Sequence, residues 1–162
     1  MIKKLDKLAL DFFKLFARYE FALKDMGYVY AGRNNEANTD WDRFANDIGR
    51  LLFDEKDERV CTSLDYMLTN PPMKQVVVNG LVQWEEVKPC ERNSQILFSY
   101  IRRVRNNLFH GAKFNGTWFD PERSSKLLSC SHILLEHCIS LSEEIRRRIG
   151  NDKYSQRSWG KC

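Results

Sequence analysis

Arg105, Asn106 and His110, followed at once by Gly111, bring a guanidinium, a carboxamide and an imidazole into one short stretch of chain. Each group has a use on a phosphodiester. Arginine offers a planar fork of donors for phosphate oxygens, asparagine orients a neighbour without titrating, and histidine exchanges a proton near neutral pH. Chemistry of this kind needs no metal ligand set, so no metal or other cofactor is expected. An arginine five residues before a histidine is a common accident in an arginine-rich chain; asparagine directly after that arginine makes the pattern far more selective.

The motif needs a helix to hold it. Leu97, Ile101, Val104 and Leu108 recur at helical period, which predicts a helix over 93–110 with these residues on its buried side and Gly111 as its stop. On an ideal helix Arg105 and His110 point about 140° apart, whereas Asn106 and His110 share a face that Arg103 joins. Upstream, Leu5, Leu8, Phe12, Leu15, Tyr19, Ala22 and Met26 predict a first helix that stops near Gly27, with a loop over the polar run 33–40. Thr39 or Asp40 then caps a second helix carrying Trp41, Phe44, Ala45, Ile48, Leu51 and Leu52 as far as Phe53. A short third helix over 57–69, with Val60, Leu64 and Leu68 on one side, ends before Pro71-Pro72. Val76-Val77-Val78 and Leu81-Val82-Gln83-Trp84 flank Asn79-Gly80, the pair that favours a tight hairpin turn. A small β-hairpin or extended insertion is therefore expected near 73–87, as a structured connection in preference to a lid or docking edge. Asp120-Pro121 opens the last helix, which holds Leu127, Leu134, Cys138, Leu141 and Ile145.

A chain of 162 residues is most simply one domain, placed here at 1–150, followed by an aperiodic tail, 151–162, expected to be disordered. Hydrophobic residues at 43% and charged residues at 30% fit a globular protein, and no apolar run reaches the length that crosses a bilayer. The charged N-terminus lacks a signal-peptide core, and the odd set Cys61, Cys90, Cys130, Cys138 and Cys162 suits reduced thiols; both lead to the expectation of a cytoplasmic protein. Cys130, His132, His137 and Cys138 cluster in sequence, but partly buried positions on an amphipathic helix account for them better than zinc does. The net charge of +4 is modest, and its distribution matters more. Arg92, Arg102, Arg103, Arg105, Lys113 and Arg123 bracket the motif against the two acids Asp120 and Glu122, a basic footprint suited to a single-stranded polyanion. Arg103, Lys113 and Arg102 are the candidates for tracking RNA phosphates. Phe114 or Trp118 could stack a base, although a core role suits either aromatic better.

Arg-Asn-x-x-x-His-Gly near the end of a helix, here Arg105 to Gly111, resembles the signature of the HEPN superfamily. Arg18-Tyr19-Glu20-Phe21-Ala22-Leu23-Lys24 is similar to the first helix of one prokaryotic HEPN branch, and Asp120-Pro121-Glu122-Arg123 to the start of its last. The likeness spans about residues 5 to 149, and Arg105 to Gly111 is its specific part. What it implies is an all-α fold, an antiparallel bundle of four to five helices with the hairpin as an insertion. It also implies a metal-independent endoribonuclease of the toxin or phage-defence type, in which two copies form a composite cleft. Arg105, Asn106 and His110 would be catalytic there, the products would carry 2′,3′-cyclic phosphate and 5′-hydroxyl ends, and Arg18, Glu20 and Lys24 would be auxiliary. The implied partners are an RNA substrate, a second copy of the chain, and a cognate antitoxin or other defence-system protein, with no membrane. The alternative is a non-catalytic HEPN module that binds a nucleotide or a protein in a two-component system. His110 near a helix C-terminus would favour imidazolium, Arg103 and Arg105 would oppose it, and its acid or base role stays open.

Overall fold

The computed structural model describes residues 2–109, 113–114, 117–118 and 120–149; His110, Gly111 and the predicted tail lie outside them. α1 (Ile2–Asp25) buries Leu5, Phe12, Leu15, Phe16, Tyr19, Ala22 and Leu23 along one side. Gly27 closes it with φ +85°, its N–H donating to the Lys24 carbonyl at 3.0 Å while the Tyr28 N–H donates to that of Leu23 at 2.9 Å. A side chain resists that left-handed position and glycine does not.

The predicted loop over 33–40 is more ordered than its polarity suggests. Strands β1 (Val29–Ala31) and β2 (Ala37–Thr39) pair antiparallel, and the turn between them places Asn34 and Asn35 at φ 57° and 62°. Asparagine tolerates that region better than most residues, so a polar run could reverse direction within a few residues.

Asp40 caps α2 (Trp41–Phe53), accepting the Arg43 N–H at 3.1 Å. Its buried stripe departs from the prediction at one flank: Leu51 is 51% exposed, while Gly49 is buried. The two residues lie on opposite edges of the Trp41, Phe44, Ala45, Ile48 and Leu52 stripe, roughly 80° from its centre on either side. The next helix along the core, α4 (Ser94–Phe109), comes against the Gly49 edge, where a Cβ would stand 2.5 Å from the Ser94 side chain. α3 (Glu58–Thr69), capped by Asp57, ends at Asn70 before the two prolines and buries Val60, Leu64 and Leu68.

The hairpin is present as strands β3 (Lys74–Val78) and β4 (Leu81–Glu85), in register Val78↔Leu81, Val77↔Val82 and Val76↔Gln83. Asn79 and Gly80 take φ 51° and 78°, the two left-handed residues of a tight turn. After α4 a third ribbon pairs β5 (Lys113–Phe114) with β6 (Thr117–Trp118). Asp120 caps α5 (Pro121–Leu141), accepting the Arg123 N–H at 3.0 Å. The predicted last helix is interrupted at Ser142, whose extended backbone (φ −133°, ψ 119°) starts α6 (Glu143–Ile149). The Ser142 hydroxyl accepts the Ile145 N–H at 3.3 Å, the local bond by which serine competes with a continuing helix.

Among the described residues the molecule is mostly helical, six α-helices with three two-stranded antiparallel ribbons. α5 packs against α1, α2, α3, α4 and α6, and α2 against α4. The core is aromatic where α1, α2 and α4 meet: the Phe16 and Trp41 rings lie 5.0 Å apart and those of Phe44 and Phe98 5.3 Å. The buried Tyr19 hydroxyl donates to the Leu135 carbonyl at 2.6 Å and ties α1 to α5; burial pushes its pKa well above the usual tyrosine value. No described helix is long and apolar enough to cross a membrane.

Candidate functional site

Val104 is buried and Leu108 half-buried, which fixes the last two turns of α4 against the core and sets the directions of the residues between them. Arg105 turns toward α1. Its guanidinium lies over the Phe16 ring, 5.5 Å from the centroid, and its Nη1–H donates to the Asn106 Oδ1 at 2.9 Å. Two members of the motif are thus joined directly, one half-buried against an aromatic face and the other exposed. With its oxygen engaged by the guanidinium, the Asn106 carboxamide presents its NH₂ as a donor. α4 is described to Phe109, so His110 and its predicted angle to Arg105 lie outside the described residues.

The phosphate-tracking candidates divide. Arg103 lies over the Tyr100 ring at 5.5 Å and donates to the Pro72 carbonyl at 3.4 Å, on the side of α4 facing the hairpin's base. Arg102 is half-buried on the same helix. Lys113 pairs with Trp118 across the β5–β6 ribbon, and its side chain lies outside the described residues. Two cations of the predicted footprint are engaged elsewhere. Arg123 makes a two-pronged bond to the Glu86 carboxylate at 2.8 and 3.0 Å and a third to the Pro71 carbonyl at 2.9 Å. That guanidinium holds the Glu86 carboxyl below its usual range. Arg92 lies over the Phe53 ring and within 4.0 Å of Asp65. The basic footprint contracts to Arg102, Arg103 and Arg105, with Lys113 beyond.

The α1 candidates disperse. Arg18 donates to the Ile149 carbonyl at the end of α6. Glu20 accepts the Thr39 hydroxyl and, at 2.7 Å, the Trp41 indole N–H, so its carboxylate joins α1 to the start of α2. Lys24 is exposed in the last turn of α1, where a cation suits the negative end of the helix dipole.

Two residues not singled out from the sequence shape the neighbourhood. Asn107 donates to the Met73 carbonyl at 2.9 Å, and the Arg123 bonds just described clamp both ends of the β3–β4 insertion. No local pattern marks either one, because their partners stand more than thirty positions upstream. Beside Asn107 a recess of about 70 Å³ is walled by Pro72, Met73, Trp84, Leu108 and Trp118. Trp118 is buried and gives its indole N–H to the Asp6 carboxylate at 3.0 Å, which is a core role and not a stacking platform. The Phe114 side chain lies outside the described residues.

The histidine and cysteine cluster of α5 also resolves. His137 Nε2 meets the Glu55 carboxylate at 2.7 Å, and the Cys61 thiol donates to the Glu55 carbonyl at 3.3 Å. The Lys56 and Asp57 N–H groups, then His137, hold the Glu55 carboxyl below its usual value. Cys138 is fully buried, its thiol pushed up to about 12 by desolvation. Among the described residues no three His, Cys, Asp or Glu side chains come together as a metal ligand set. Comparison of the chain with family models, with characterised proteins and with solved structures finds no match.

Proposed function

We propose that this chain is a HEPN-like endoribonuclease in which Arg105, Asn106 and His110 from two copies cut RNA without a metal ion, acting as a toxin or phage-defence effector. The observation that carries the proposal is the Arg105–Asn106 hydrogen bond of 2.9 Å, held over Phe16 in the last turns of α4, directly before a His-Gly pair in sequence. In the proposed bundle α1 to α5 are the antiparallel helices, α6 continues α5 beyond its break, and β3–β4 is the insertion.

RNA supplies its own nucleophile. The 2′-oxygen attacks phosphorus as its proton leaves, the 5′-oxygen departs as it gains a proton, and the 2′,3′-cyclic phosphate forms. His110 of one copy takes the first proton and His110 of the other delivers the second. The Arg105 guanidinium neutralises the non-bridging oxygens as charge builds on them, and Asn106 orients the imidazole or the substrate. Arg102, Arg103 and Lys113 hold the flanking phosphates. Arg18, Glu20 and Lys24 support the site from α1, Glu20 through its bonds to Thr39 and Trp41.

The test is incubation of the chain with mixed RNA in excess chelator. Cyclic phosphate and 5′-hydroxyl ends are expected, with losses of about a hundredfold or more in His110→Ala and Arg105→Ala. No cleavage by the wild-type chain, or full cleavage by His110→Ala, refutes the proposal. The recess beside Asn107 favours a second reading, a non-catalytic HEPN module that holds a nucleotide or a partner protein. Tight nucleotide binding with no RNA cleavage at any pH would select it.

A further inference from the structure

We propose that the β3–β4 hairpin is an arm through which two copies of this chain associate. Its tip is aliphatic and in water: Val77, Val78, Leu81 and Val82 are 72%, 41%, 67% and 66% exposed. Val77 stands opposite Val82 and Val78 opposite Leu81, so both faces of the ribbon carry an aliphatic pair. Between Gln75 and Trp84 there is no charge and no proline, and the strand register is regular. Lone strands are ordinarily guarded by a lysine, a proline or a bulge. The first charges on this one, Lys74 and Glu85, pair with each other at 2.7 Å.

Charge selects the occupant. A twofold contact sets each patch against its own copy, and only a patch free of like charges tolerates that. The other exposed apolar side chains fail this condition. Leu10 and Phe21 share the outer face of α1 with Lys3, Lys7, Lys14 and Lys24, so a second copy would bring cations onto cations. Leu51 lies at helical spacing from Asp47 and Asp54. The arm is uncharged from Gln75 to Trp84 in a chain of net charge +4, and a second copy of itself meets it without electrostatic penalty.

The arm is also held firmly. Asn107 and Arg103 of α4 bond to the Met73 and Pro72 carbonyls at its entry, and Arg123 of α5 bonds to Pro71 and Glu86 on its two sides. Joining two tips therefore fixes the relation between two α4 ends. That consequence rests on the proposed two-copy site; the association itself does not.

Sedimentation velocity on the full chain tests it. The wild-type chain is expected to dimerise in the micromolar range, and Val77→Lys with Val82→Lys, or Val77→Glu with Val82→Glu, to weaken association at least about a hundredfold. Thermal melts should be unchanged, because these side chains already face water. An equimolar mixture of the lysine and glutamate variants should regain the dimer, while Leu10→Lys should leave it intact. A monomeric wild-type chain, arm variants that dimerise normally, or a mixture that stays monomeric each overturn the proposal. A dimer through the arm with no RNA cleavage removes the ribonuclease reading alone; RNA cleavage by monomeric or arm-independent species removes this inference alone.

Discussion

Replacing Arg105 by lysine keeps the positive charge and removes the planar fork, which separates what Arg105 does for the fold from what it does to a phosphate. In the folded chain two contacts are lost, the guanidinium over Phe16 and the bond to Asn106. A partly exposed cation on an aromatic face contributes about 0.5–1 kcal/mol. A hydrogen bond to a neutral, exposed amide contributes about 0.5–1.5 kcal/mol. Arg105→Lys should therefore cost about 1–2 kcal/mol, or roughly 2–8 °C in Tm for a chain of this size. At the reaction centre the same change removes a donor aimed at developing oxyanion charge, worth about 2.7–4 kcal/mol or 10²–10³ in rate. The kinetic loss should exceed the stability loss. Cleavage of a fluorescent RNA in chelator, run well below both Tm values and paired with thermal melts on the same samples, measures the two together. If Arg105→Lys cuts at the wild-type rate while its Tm falls, Arg105 is a packing residue and the proposed chemistry has lost its phosphate ligand.

Glu20→Ala breaks two hydrogen bonds to a half-buried carboxylate and should lower stability by about 2–4 kcal/mol, with cleavage per folded molecule unchanged; Glu20→Gln keeps an acceptor and should cost about half as much. A large kinetic defect in Glu20→Gln at unchanged Tm would instead make Glu20 a participant in the reaction. Glu55 supplies a pH test. Because its folded pKa is depressed, its stabilisation is fully present above the unfolded value of about 4.3 and is lost as pH falls through the lower folded value. Glu55→Gln should melt below the wild-type chain at pH 7, and the gap should narrow below about pH 4. A gap independent of pH would show that the carboxylate's charge is not what the Lys56, Asp57 and His137 contacts stabilise.

Where the stabilising bond is short in sequence, the chain announces it. Asp40, Asp57 and Asp120 each cap the helix that follows them, and Asn79-Gly80 turns the hairpin at the place its residue types require. Periodicity located α1, α3 and the buried side of α4 for the same reason, since neighbouring turns of one helix suffice to write the pattern. Leu51 shows the limit. It satisfies the helical period as well as Leu52 does, and which edge of the stripe is covered depends on how closely α4 approaches Gly49. Ser142 shows another: an apolar pattern runs on through Ile145, but a hydroxyl bond to the Ile145 N–H interrupts the helix.

For the site, residue types and order alone identified the Arg105, Asn106 and His110 kit, and with it the class of chemistry, because a guanidinium, a carboxamide and an imidazole keep their capabilities wherever they are placed. Tertiary structure decided what those groups touch. Arg105 finds Phe16 some ninety positions away, Glu20 finds Thr39 and Trp41, and Arg123 gives its charge to Glu86 and leaves the basic footprint. A side chain's chemistry is local, whereas its partner is whatever the packing of distant helices brings within a few ångströms.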